Sequence, residues 1–433
     1  MNALQRIGRT RRVARTAARI FVSYRWRGWR NRRLPPEEAA ERQSRTHRRN
    51  AERIYDTATS LKGLLIKVGQ LIGTRADVFP DEYVEVLSQL QDAVPPHSFD
   101  VIRRVIEEDL GAPLDEIFAK FDRTPIASAS LAQVHRAVLH DGRQAAVKVQ
   151  YPEIAEIVRV DLQNIRMLAR VAGKFLRDFD FTTLVDELSA NTPLELDFVH
   201  EGHNAEASAR NFADNEAIIV PDIYWEHTSK RVLCMELVDG IKISDVAALE
   251  AAGIDRKAVA RLLTECYIQQ IFVDGYFHAD PHPGNLFVRP GPQLVIVDFG
   301  LAKRLTVEFR RGFIRLTRAL VLADSAELAQ AFRELGFRTR HEDDSVFDDL
   351  GKAMIDRLSR DAAFSRDREL VMELNHRMAR VFRENPVVRV PGEFLLIGRT
   401  LGLLGGLGTQ LGSQVNVLDL IGAHFPPAAE PAP

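Results

Sequence analysis

The sequence predicts an α+β chain built from a helical extension, a mixed α/β lobe and a predominantly helical lobe. Three observations support this prediction. Residues 37–120 place apolar residues at helical spacing, residues 121–150 change to a strand pattern, and the chain from residue 255 onward is again mostly helical. A length of 433 residues allows two or three domains, and 45% hydrophobic against 27% charged residues is an ordinary globular balance.

Within that plan, each element has its own local signal. Pro95-Pro96 interrupts the helices of the extension, and Asp141-Gly142 is the hairpin turn between two strands. The predicted elements are helices at Glu37–Ser60, Leu61–Thr74, Asp81–Leu90 and Phe99–Leu110, strands at 121–150, helices at 153–212, strands near 217–220 and 231–238, and a short hairpin at 286–300. The predicted domains are 1–36, 37–120, 121–238, 239–425 and a disordered tail at 426–433.

Charge and cysteine usage exclude several classes of protein. A net charge of −2 disfavours a uniformly basic nucleic-acid binder and a strongly acidic protein. The average hides an asymmetry, because residues 1–36 contain eleven arginines and no acidic residue. The sequence has two cysteines, Cys234 and Cys266, each within an apolar stretch. This usage argues against a disulfide scaffold or a zinc site and fits two core residues in a reducing compartment.

The first 36 residues are predicted to form an amphipathic helix that ends at Pro35-Pro36. Its predicted apolar side is Leu4, Ile7, Ala14, Ala17, Ala18, Phe21 and Tyr24, with Arg12, Arg15 and Arg19 opposite and Trp26 and Trp29 following. Three interpretations compete: an anchor on an anionic membrane surface, a solvated or disordered tail, and an organelle transit peptide or nucleic-acid arm. Tryptophan prefers the headgroup layer, and each arginine near an anionic leaflet contributes about 1 kcal/mol, which favours the membrane. No window of the sequence matches a transmembrane helix.

The strongest chemical signal is His278-Ala-Asp280-Pro-His-Pro-Gly-Asn285, followed by Asp298-Phe299-Gly300. Phosphoryl transfer from ATP needs one carboxylate facing the accepting hydroxyl or water, and oxygen ligands that hold Mg²⁺ against the phosphates. The order H-x-D-x-x-x-x-N and then D-F-G supplies these groups on two adjacent loops. We therefore predict Asp280 as the base or water-positioning carboxylate and Asn285 and Asp298 as magnesium ligands, with ATP and Mg²⁺ as cofactors.

Two further segments upstream fit the same chemistry. Ala146-Val147-Lys148-Val149 has the form V-A-I-K, which places Lys148 on a strand within reach of the α- and β-phosphates and requires a helical glutamate as its partner. The hairpin Pro125–Val134 lacks G-x-G-x-x-G, but its small residues still let backbone N–H groups approach phosphate. The residues of this hairpin predicted to contact the nucleotide are Ile126, Ala127, Ser128, Ala129, Ser130 and Val134.

Two departures disfavour an ordinary protein kinase. His282 stands where protein kinases carry the lysine of the catalytic loop. No A-P-E segment follows Asp298-Phe299-Gly300, because the chain continues from Leu301 into the charged helical run Val307–Leu322. A segment that docks a peptide substrate is therefore not predicted.

Further motifs lie outside these loops. They are Lys67-Val-Gly-Gln70, Gly73–Pro80, Leu90–Pro95, the alanine-rich Ala127–Ser130, Glu195-Leu-Asp197, Glu201 and Arg399–Gly406. With the loops described above, they resemble the UbiB/AarF (ADCK-like) family of atypical protein-kinase-like proteins over about residues 45–416. The family usually has Ala at the position of Ser128, and the long interval between Lys148 and Glu201 is consistent with the extra helices of its small lobe.

The resemblance implies an atypical bilobal protein-kinase-like fold with an N-terminal helical extension, whose K-x-G-Q helix lies across the active site. The site residues that it implies are Glu201 as the partner of Lys148, Lys67 in catalysis, and Gln70, Glu195 and Asp197 near the nucleotide. Met235-Glu236-Leu237 resembles the hinge whose backbone reads adenine, so Glu236 is also predicted to contact the nucleotide.

The combined prediction is an ATP-binding atypical kinase or ATPase, peripheral on the cytoplasmic, inner face of a cell membrane through residues 1–36, with organelle targeting left open. The resemblance implies support of isoprenoid-quinone (ubiquinone-type) biosynthesis or lipid handling. Its implied partners are lipid or quinone intermediates and quinone-biosynthesis enzymes, with nucleic acid disfavoured. Two alternatives stay open: a small-molecule kinase that phosphorylates a hydroxyl acceptor, and a nucleotide-gated non-catalytic scaffold for membrane enzymes. The scaffold is disfavoured because Asp280, Asn285 and Asp298 are all present.

Overall fold

The chain divides into two compact units that each mix helices and strands. The computed structural model describes residues 3–31, 35–73, 80–91, 96–173, 185, 189, 192–339, 346–348, 351, 387–413 and 420. Unit 1 comprises Met1–His203 and Asp222–Leu237, and unit 2 comprises Asn204–Pro221 and Val238–Pro433. The predicted α+β class is confirmed. The predicted disordered tail lies outside the described residues, and the finer domain boundaries stay predictions.

The helices of unit 1 follow the apolar periodicity of the sequence. They are α1 (Ala3–Asn31), α2 (Pro36–Leu61), α3 (Leu64–Gly73), α4 (Asp81–Leu87), α5 (Phe99–Leu110), α6 (Leu114–Ile117), α7 (Ile154–Gly173) and the first residues of α8 (Phe198–Asn211). The helix predicted from residue 61 begins three residues later, because Lys62 and Gly63 adopt positive φ angles of 55° and 71° that end α2. At the end of α5, Gly111 has φ 74°, the left-handed conformation that commonly closes a helix.

Unit 1 also contains an antiparallel sheet. Its strands run in the order β1 (Lys120–Phe121), β3 (Ala132–Val138), β4 (Gln144–Gln150) and β6 (Val232–Glu236), with β2 (Ala127–Ser128) paired to β3. Asp141-Gly142 lies in the turn between β3 and β4, as predicted. Strand β4 is buried from Ala145 to Gln150, since it is central in the sheet and α5 packs against it. This burial is the reason why a charged residue on β4 needs a partner.

Helix α1 packs against α2 and α7 within unit 1. The stripe that faces its neighbours is largely polar: Arg9 and Val13 are buried, Thr16 Oγ1 lies 2.9 Å from Thr57 Oγ1, and Ser23 accepts a hydrogen bond from Asn50 Nδ2 at 2.9 Å. The interpretation of this segment as a disordered tail is therefore wrong for Ala3–Asn31.

The predicted apolar side of α1 is not the side that unit 1 buries. Tyr24, predicted on that side, hydrogen-bonds Tyr83, whereas Leu4 and Ile7 stay exposed. We call the exposed side the outward face of α1, and it consists of Leu4, Ile7, Val22 and Trp26 together with Arg11, Arg15 and Arg25. Polar contacts, rather than apolar ones, hold the inner stripe of the helix, so Leu4 and Ile7 of the predicted apolar side remain exposed.

Unit 2 contains short strands and the longer helices of the second half of the chain. In order they are β5 (Ile218–Ile219), β7 (Ile241–Lys242), α9 (Val246–Ala251), α10 (Arg256–Ile268), β8 (Tyr276–His278), β9 (Leu286–Arg289), β10 (Gln293–Ile296), β11 (Ala302–Arg304), α11 (Val307–Val321), α12 (Ser325–Glu334), β12 (Arg338–Thr339), β13 (Val387–Arg389) and α13 (Gly392–Gln410). One sheet has the order β5-β10-β9-β7, and β8 pairs with β11. The predicted hairpin at 286–300 is β9 and β10, whereas β8 and β11 are too short for a recognisable period.

A cluster of phenylalanines forms the core of unit 2. Its members come from β8, α11, α12, α13 and the segments beside them: Phe272, Phe277, Phe309, Phe313, Phe332, Phe337, Phe347 and Phe394. Several rings meet edge to face, such as Phe337 and Phe394 with centroids 4.8 Å apart. The cluster fixes β8 and α13 in one core, and both elements carry residues of the candidate site.

Both cysteines are core residues, as predicted. Cys234 on β6 and Cys266 on α10 are buried free thiols. Burial raises the pKa of each thiol to about 12, so neither is a ready nucleophile. Among the described residues, no helix is long and apolar enough to cross a membrane.

Candidate functional site

A buried ion pair joins β4 to α8 in unit 1. Lys148 Nζ lies 2.7 Å from Glu201 Oε1, and the two side chains are only 11% and 2% exposed. Phe198, one turn before Glu201, places its ring centroid 5.2 Å from the same ammonium. Because both charges are withdrawn from water, removing either one would leave the other uncompensated. The structure thus brings together the two residues that were expected to orient the phosphates.

The start of α8 positions its glutamate. A short 3-10 turn, Leu194–Leu196, follows Pro193, and the helix begins at Phe198. Asp197 Oδ1 accepts hydrogen bonds from the N–H groups of Val199 at 3.2 Å and His200 at 3.4 Å, which is the geometry of an N-cap. The structure therefore gives Asp197 the role of the N-cap of α8.

A second ion pair of unit 1 joins α3 to this 3-10 turn. Lys67 Nζ pairs with Glu195 Oε1, and both side chains are partly buried. The glycine of the K-x-G-Q motif is Gly69. Packing requires a glycine there, because a Cβ at that position would overlap the Leu90 side chain packed against α3. Gln70 lies on α3, but its side chain is outside the described residues. The structure therefore unites Lys67 with Glu195, while the roles of Gln70 and Asp197 toward a nucleotide stay predictions.

The alanine-rich loop forms a tight hairpin between β2 and β3. The Ile126 N–H donates to the Val134 carbonyl at 2.8 Å, and the Ala129 N–H donates to the Ala132 carbonyl at 2.8 Å. Ala127 and Ser128 form β2, and Ser130 lies in the turn that follows. These bonds fix the backbone of the loop although it contains no glycine. Contact with a nucleotide stays a prediction for Ile126, Ala127, Ser128, Ala129, Ser130 and Val134.

Tyr151 braces this hairpin, a role that sequence reasoning missed. Its hydroxyl donates to the Ala129 carbonyl at 3.0 Å and lies 2.8 Å from Ser128 Oγ. Burial raises the pKa of the phenol, so the hydroxyl stays protonated and able to donate. The available signal was an aromatic residue with a polar end directly after a buried strand.

Glu236 ends β6, the strand beside the one that carries Lys148. Its N–H donates to the Asp222 carbonyl at 2.8 Å, and the N–H of Leu237 donates to the Gln144 carbonyl at 3.2 Å. These bonds fix the backbone of the segment that resembles an adenine-reading hinge. The contact of Glu236 with a nucleotide stays a prediction.

In unit 2, a buried histidine connects the loop that contains Asp280 to the loop that contains Asp298. His278 ends β8 and is fully buried, and its Nε2 donates to the Asp298 carbonyl at 2.7 Å. Its N–H donates to Gln270 Oε1 at 2.8 Å, and its Nδ1 lies 3.0 Å from the Tyr267 hydroxyl. His278 thus braces the backbone of the two loops. The bracing brings the loop after β8 against the loop that contains Asp298.

The carboxylate of Asp280 forms an ion pair with an arginine. Arg399 on α13 places Nη2 2.7 Å from Asp280 Oδ1, and the two side chains are 24% and 35% exposed. The neighbouring Thr400 is fully buried and donates to the Ala279 carbonyl at 3.3 Å, which ties α13 to the same loop. In the sequence Arg399 is recognisable only as the first residue of the motif Arg399–Gly406, because its partner lies 119 residues away.

Asn285 and Asp298 offer the oxygen ligands that Mg²⁺ prefers. Asn285 Nδ2 donates to the Asp280 carbonyl at 3.2 Å, which directs the amide oxygen away from that carbonyl. The Val297 N–H donates to the Asn285 carbonyl at 2.9 Å, so the two loops are joined here as well. Mg²⁺ usually takes one or two protein oxygens and completes its shell with water and phosphate, and this donor set fits that requirement.

Asp298 adopts a strained backbone. Its φ is 64°, a left-handed conformation that costs a non-glycine residue about 1–3 kcal/mol. The conformation is held by the bond from His278 to its carbonyl and by the Gly300 N–H, which donates to Asp298 Oδ1 at 3.3 Å. Strain kept by surrounding contacts is common at functional sites, and here it fixes the direction of a carboxylate.

Comparisons with known proteins show which family the chain resembles. A family profile described as the ABC1 atypical kinase-like domain matches residues 89–332, more than half of the chain. Mouse AarF domain-containing protein kinase 1 is 38% identical over 397 residues, an alignment that covers 87% of this chain and 73% of the mouse protein. The Arabidopsis thaliana protein ACTIVITY OF BC1 COMPLEX KINASE 8, chloroplastic, is 33% identical over 390 residues, which cover 82% of this chain and 51% of the plant protein.

A solved structure shows the same architecture. The complex of Rv3197 with erythromycin from Mycobacterium tuberculosis has a TM-score of 0.62 and 27% sequence identity, and the match covers 91% of this chain and 99% of that one. Lys148, Asp280 and Asp298 lie within the residues that the family profile matches, whereas Lys67 and Arg399 lie outside them.

Proposed function

The chain belongs to the ABC1 atypical kinase-like family, and on this premise we propose that it binds Mg-ATP and hydrolyses it as an ATPase on a membrane surface. The observation that carries the proposal is the buried Lys148–Glu201 pair at 2.7 Å. A buried ion pair is a weak device for stability, because desolvation offsets most of the attraction. A lysine kept in such a position beside an alanine-rich hairpin is best explained by a use for its charge, which here is the contact with phosphate oxygens.

Unit 1 supplies the groups that hold the phosphates. Lys148 binds the α- and β-phosphate oxygens, and Glu201 keeps the ammonium charged and directed. The hairpin braced by Tyr151 offers backbone N–H groups to the same anion. In this proposal the ammonium of Lys67 is a second positive charge that unit 1 directs at the phosphates, and Glu195 orients it.

Unit 2 supplies the groups that act at the terminal phosphoryl group. Asn285 and Asp298 would hold Mg²⁺, and the ion would supply positive charge to the phosphate oxygens. Asp280 orients the attacking water by accepting one of its hydrogens. The bracing by His278 keeps the carboxylate of Asp298 and the loop of Asp280 at fixed positions relative to one another.

The environment of Asp280 favours hydrolysis over transfer to an acceptor. Arg399 already donates to Oδ1, so one oxygen of the carboxylate is engaged by the protein itself. A water molecule needs little room beside the other oxygen, whereas a bulkier hydroxyl compound has to compete with the guanidinium. Transfer to a small hydroxyl acceptor is the alternative activity, and the experiment below separates the two.

The membrane part of the proposal is supported by α1. Its outward face combines large apolar side chains, such as Leu4 at 80% and Val22 at 60% exposure, with exposed arginines. The helix contains no acidic residue, so nothing on it repels anionic headgroups. From the family resemblance we assign the hydrolysis to the handling of isoprenoid-quinone or related lipid intermediates in ubiquinone-type biosynthesis.

The test is Mg-ATP turnover by the full chain with and without vesicles that contain phosphatidylglycerol, with Asp298→Asn as the blank. Both free phosphate and phosphorylated acceptors are measured. We expect phosphate release that the vesicles stimulate and that falls by at least about 100-fold in the variant, as loss of metal-assisted charge stabilisation of several kcal/mol predicts.

Other outcomes of the turnover experiment would contradict different parts of the proposal. A phosphorylated acceptor in place of free phosphate would replace the ATPase by the small-molecule kinase. Turnover that vesicles leave unchanged would remove the membrane part of the proposal. Turnover no higher than that of Asp298→Asn would overturn the enzymatic proposal and leave the nucleotide-gated scaffold.

A further inference from the structure

A buried arginine connects α1 to the end of α2. Arg9 is only 7% exposed, and its guanidinium makes four hydrogen bonds. Nε and Nη2 donate to the two carboxylate oxygens of Asp161 on α7, at 2.5 Å and 2.6 Å. Nη1 donates to the Leu61 carbonyl at 2.6 Å, and Nη2 also donates to the Lys62 carbonyl at 2.7 Å. These carbonyls are orphan acceptors at the C-terminus of α2, so Arg9 completes that helix.

The carboxylate on the other side of the pair completes α3. Asp161 is fully buried and accepts hydrogen bonds from the N–H groups of Leu64 and Leu65, the first two residues of α3. Gly63 lies between the two helices with φ 71°, and a Cβ there would lie 2.7 Å from Ile157 and 3.3 Å from Arg9. The junction of α2 and α3 is therefore built around one ion pair, and no other residue type fits at Gly63 without displacement.

Lys67 lies one turn after this junction. The pair therefore fixes the origin and the direction of the helix that presents Lys67 to Glu195. We propose that Arg9 and Asp161 are positioning residues for Lys67, and that docking of the outward face of α1 on an acidic lipid surface is transmitted to Lys67 through them. This inference deepens the proposed function and rests on it.

The energetics of the pair fit a positioning role. Burial raises the pKa of Asp161, although Arg9 and the N–H groups of Leu64 and Leu65 act in the opposite direction. Desolvation offsets much of the attraction in any buried ion pair, so such a pair is weak evidence for a role in stability alone. A second pair, between Arg6 and Glu156, joins the same two helices, and Arg6 is 53% exposed. The two pairs share helices and charges but differ in burial, and only the Arg9 pair reaches the ends of α2 and α3.

A rigid helix explains how the contact is transmitted. The outward face and the inner stripe belong to one helix, Ala3–Asn31, so a force on one side moves the other. Packed elements shift between discrete arrangements rather than deforming continuously. A small movement of α1 on a membrane would then move Arg9, the start of α3, and the ammonium of Lys67 together.

The test compares Arg9→Lys with the matched control Arg6→Lys in the full chain. Lysine keeps the charge but cannot reach both carboxylate oxygens and both carbonyls at once. Vesicle binding is measured by co-sedimentation with phosphatidylglycerol/phosphatidylcholine vesicles, and pure phosphatidylcholine serves as the uncharged surface. We expect Arg9→Lys to bind the acidic vesicles like wild type while the ratio of stimulated to basal ATP turnover falls roughly fivefold or more. Arg6→Lys keeps both the binding and the ratio.

Hydrogen exchange gives a second readout that needs no turnover. We expect acidic vesicles to change the exchange of the amides of Leu64–Gly73 in wild type and in Arg6→Lys, but not in Arg9→Lys. If Arg9→Lys does not fold, the double variant Arg9→Gln/Asp161→Asn replaces it, because it removes both charges and keeps an oxygen that accepts from Leu64 and Leu65. The same loss of the ratio and of the exchange response is expected of that variant.

The inference is overturned if Arg9→Lys, or the double variant, binds vesicles and keeps the wild-type ratio and the wild-type exchange response. It is also overturned if wild type binds acidic vesicles but shows neither stimulation nor a change of exchange in α3. Basal turnover that persists in either case leaves the ATPase proposal standing. An absence of turnover in wild type sinks the proposed activity instead, and the exchange response then still decides whether Arg9 transmits docking to α3.

Discussion

Each unit contains an ion pair with one of the predicted site residues, and the two pairs differ in burial and in which charge belongs to that residue. In unit 1, Glu201 holds the ammonium of Lys148, and the side chains are 11% and 2% exposed. In unit 2, Arg399 holds the carboxylate of Asp280, and the side chains are 24% and 35% exposed. A buried pair cannot open without leaving a charge uncompensated, whereas water can replace either partner of a half-exposed pair. The first pair is therefore a fixed part of the fold, and the second is adjustable.

The largest effect is expected where the buried pair is broken. Glu201→Gln leaves the ammonium of Lys148 without a counter-charge, and removing one partner of a buried pair costs about 3–5 kcal/mol. We expect the free energy of unfolding in urea to fall by that amount and ATP turnover to be lost. Glu206→Gln on the same helix is the control, and its side chain is 38% exposed, so a change within about 0.5 kcal/mol is expected. A stable Glu201→Gln protein would mean that the two pairs do not differ as described.

The half-exposed pair should affect activity more than stability. Arg399→Gln removes a charge that water can replace, so the free energy of unfolding should change by less than about 1 kcal/mol. Turnover should fall by roughly tenfold, because the carboxylate of Asp280 is no longer held in one orientation. Steady-state kinetics and urea unfolding of the same preparation check both parts. A rise in turnover would show instead that Arg399 obstructs Asp280.

A smaller effect should follow from loosening the hairpin that Tyr151 braces. Tyr151→Phe removes the hydroxyl that contacts Ser128 and Ala129 but keeps the ring. The loss of such a hydrogen bond costs about 1 kcal/mol, and the loop should order less well around the phosphates. We expect KM for ATP to rise severalfold while kcat stays near wild type. An unchanged KM would show that the hairpin does not contact the nucleotide.

The smallest effect is a pH dependence of unit 1. His135 on β3 is fully buried, and burial lowers its pKa below the ordinary value of 6.5 although the Asp122 carbonyl accepts from its Nδ1. A histidine with a lowered folded-state pKa binds its proton more readily in the unfolded chain. Its contribution to stability is therefore present above pH 6.5 and is lost as the pH falls through the folded-state pKa.

The measurement is the free energy of unfolding between pH 7 and pH 5. We expect the free energy of unfolding to decrease as the pH is lowered from 7 to 5. His135 binds one proton, so it contributes at most about 1.4 kcal/mol per pH unit to this decrease. His135→Asn should flatten part of this slope, whereas the exposed His140→Gln should leave it unchanged. An identical slope in His135→Asn would assign the effect to other groups.

The sequence by itself determined the features that depend on near neighbours. The bounds of α5, Phe99–Leu110, and the turn at Asp141-Gly142 follow from capping, periodicity and turn chemistry within a few residues. The order of Asp280, Asn285 and Asp298 along the chain is likewise a local feature, although the bonds that hold their loops come from β8 and α13. Each of these signals acts over one or two turns of chain, so the pattern of letters was sufficient.

Only the tertiary structure decided which charges meet. Arg9 pairs with Asp161 across 152 residues, Lys67 with Glu195 across 128, and Arg399 with Asp280 across 119. The inner stripe of α1 is also a tertiary result, because Thr57 and Asn50 make its polar positions the buried ones. The energy of such contacts depends on how far each group is removed from water and on what faces it from a distant segment. A local pattern contains neither quantity, and the packed chain supplies both.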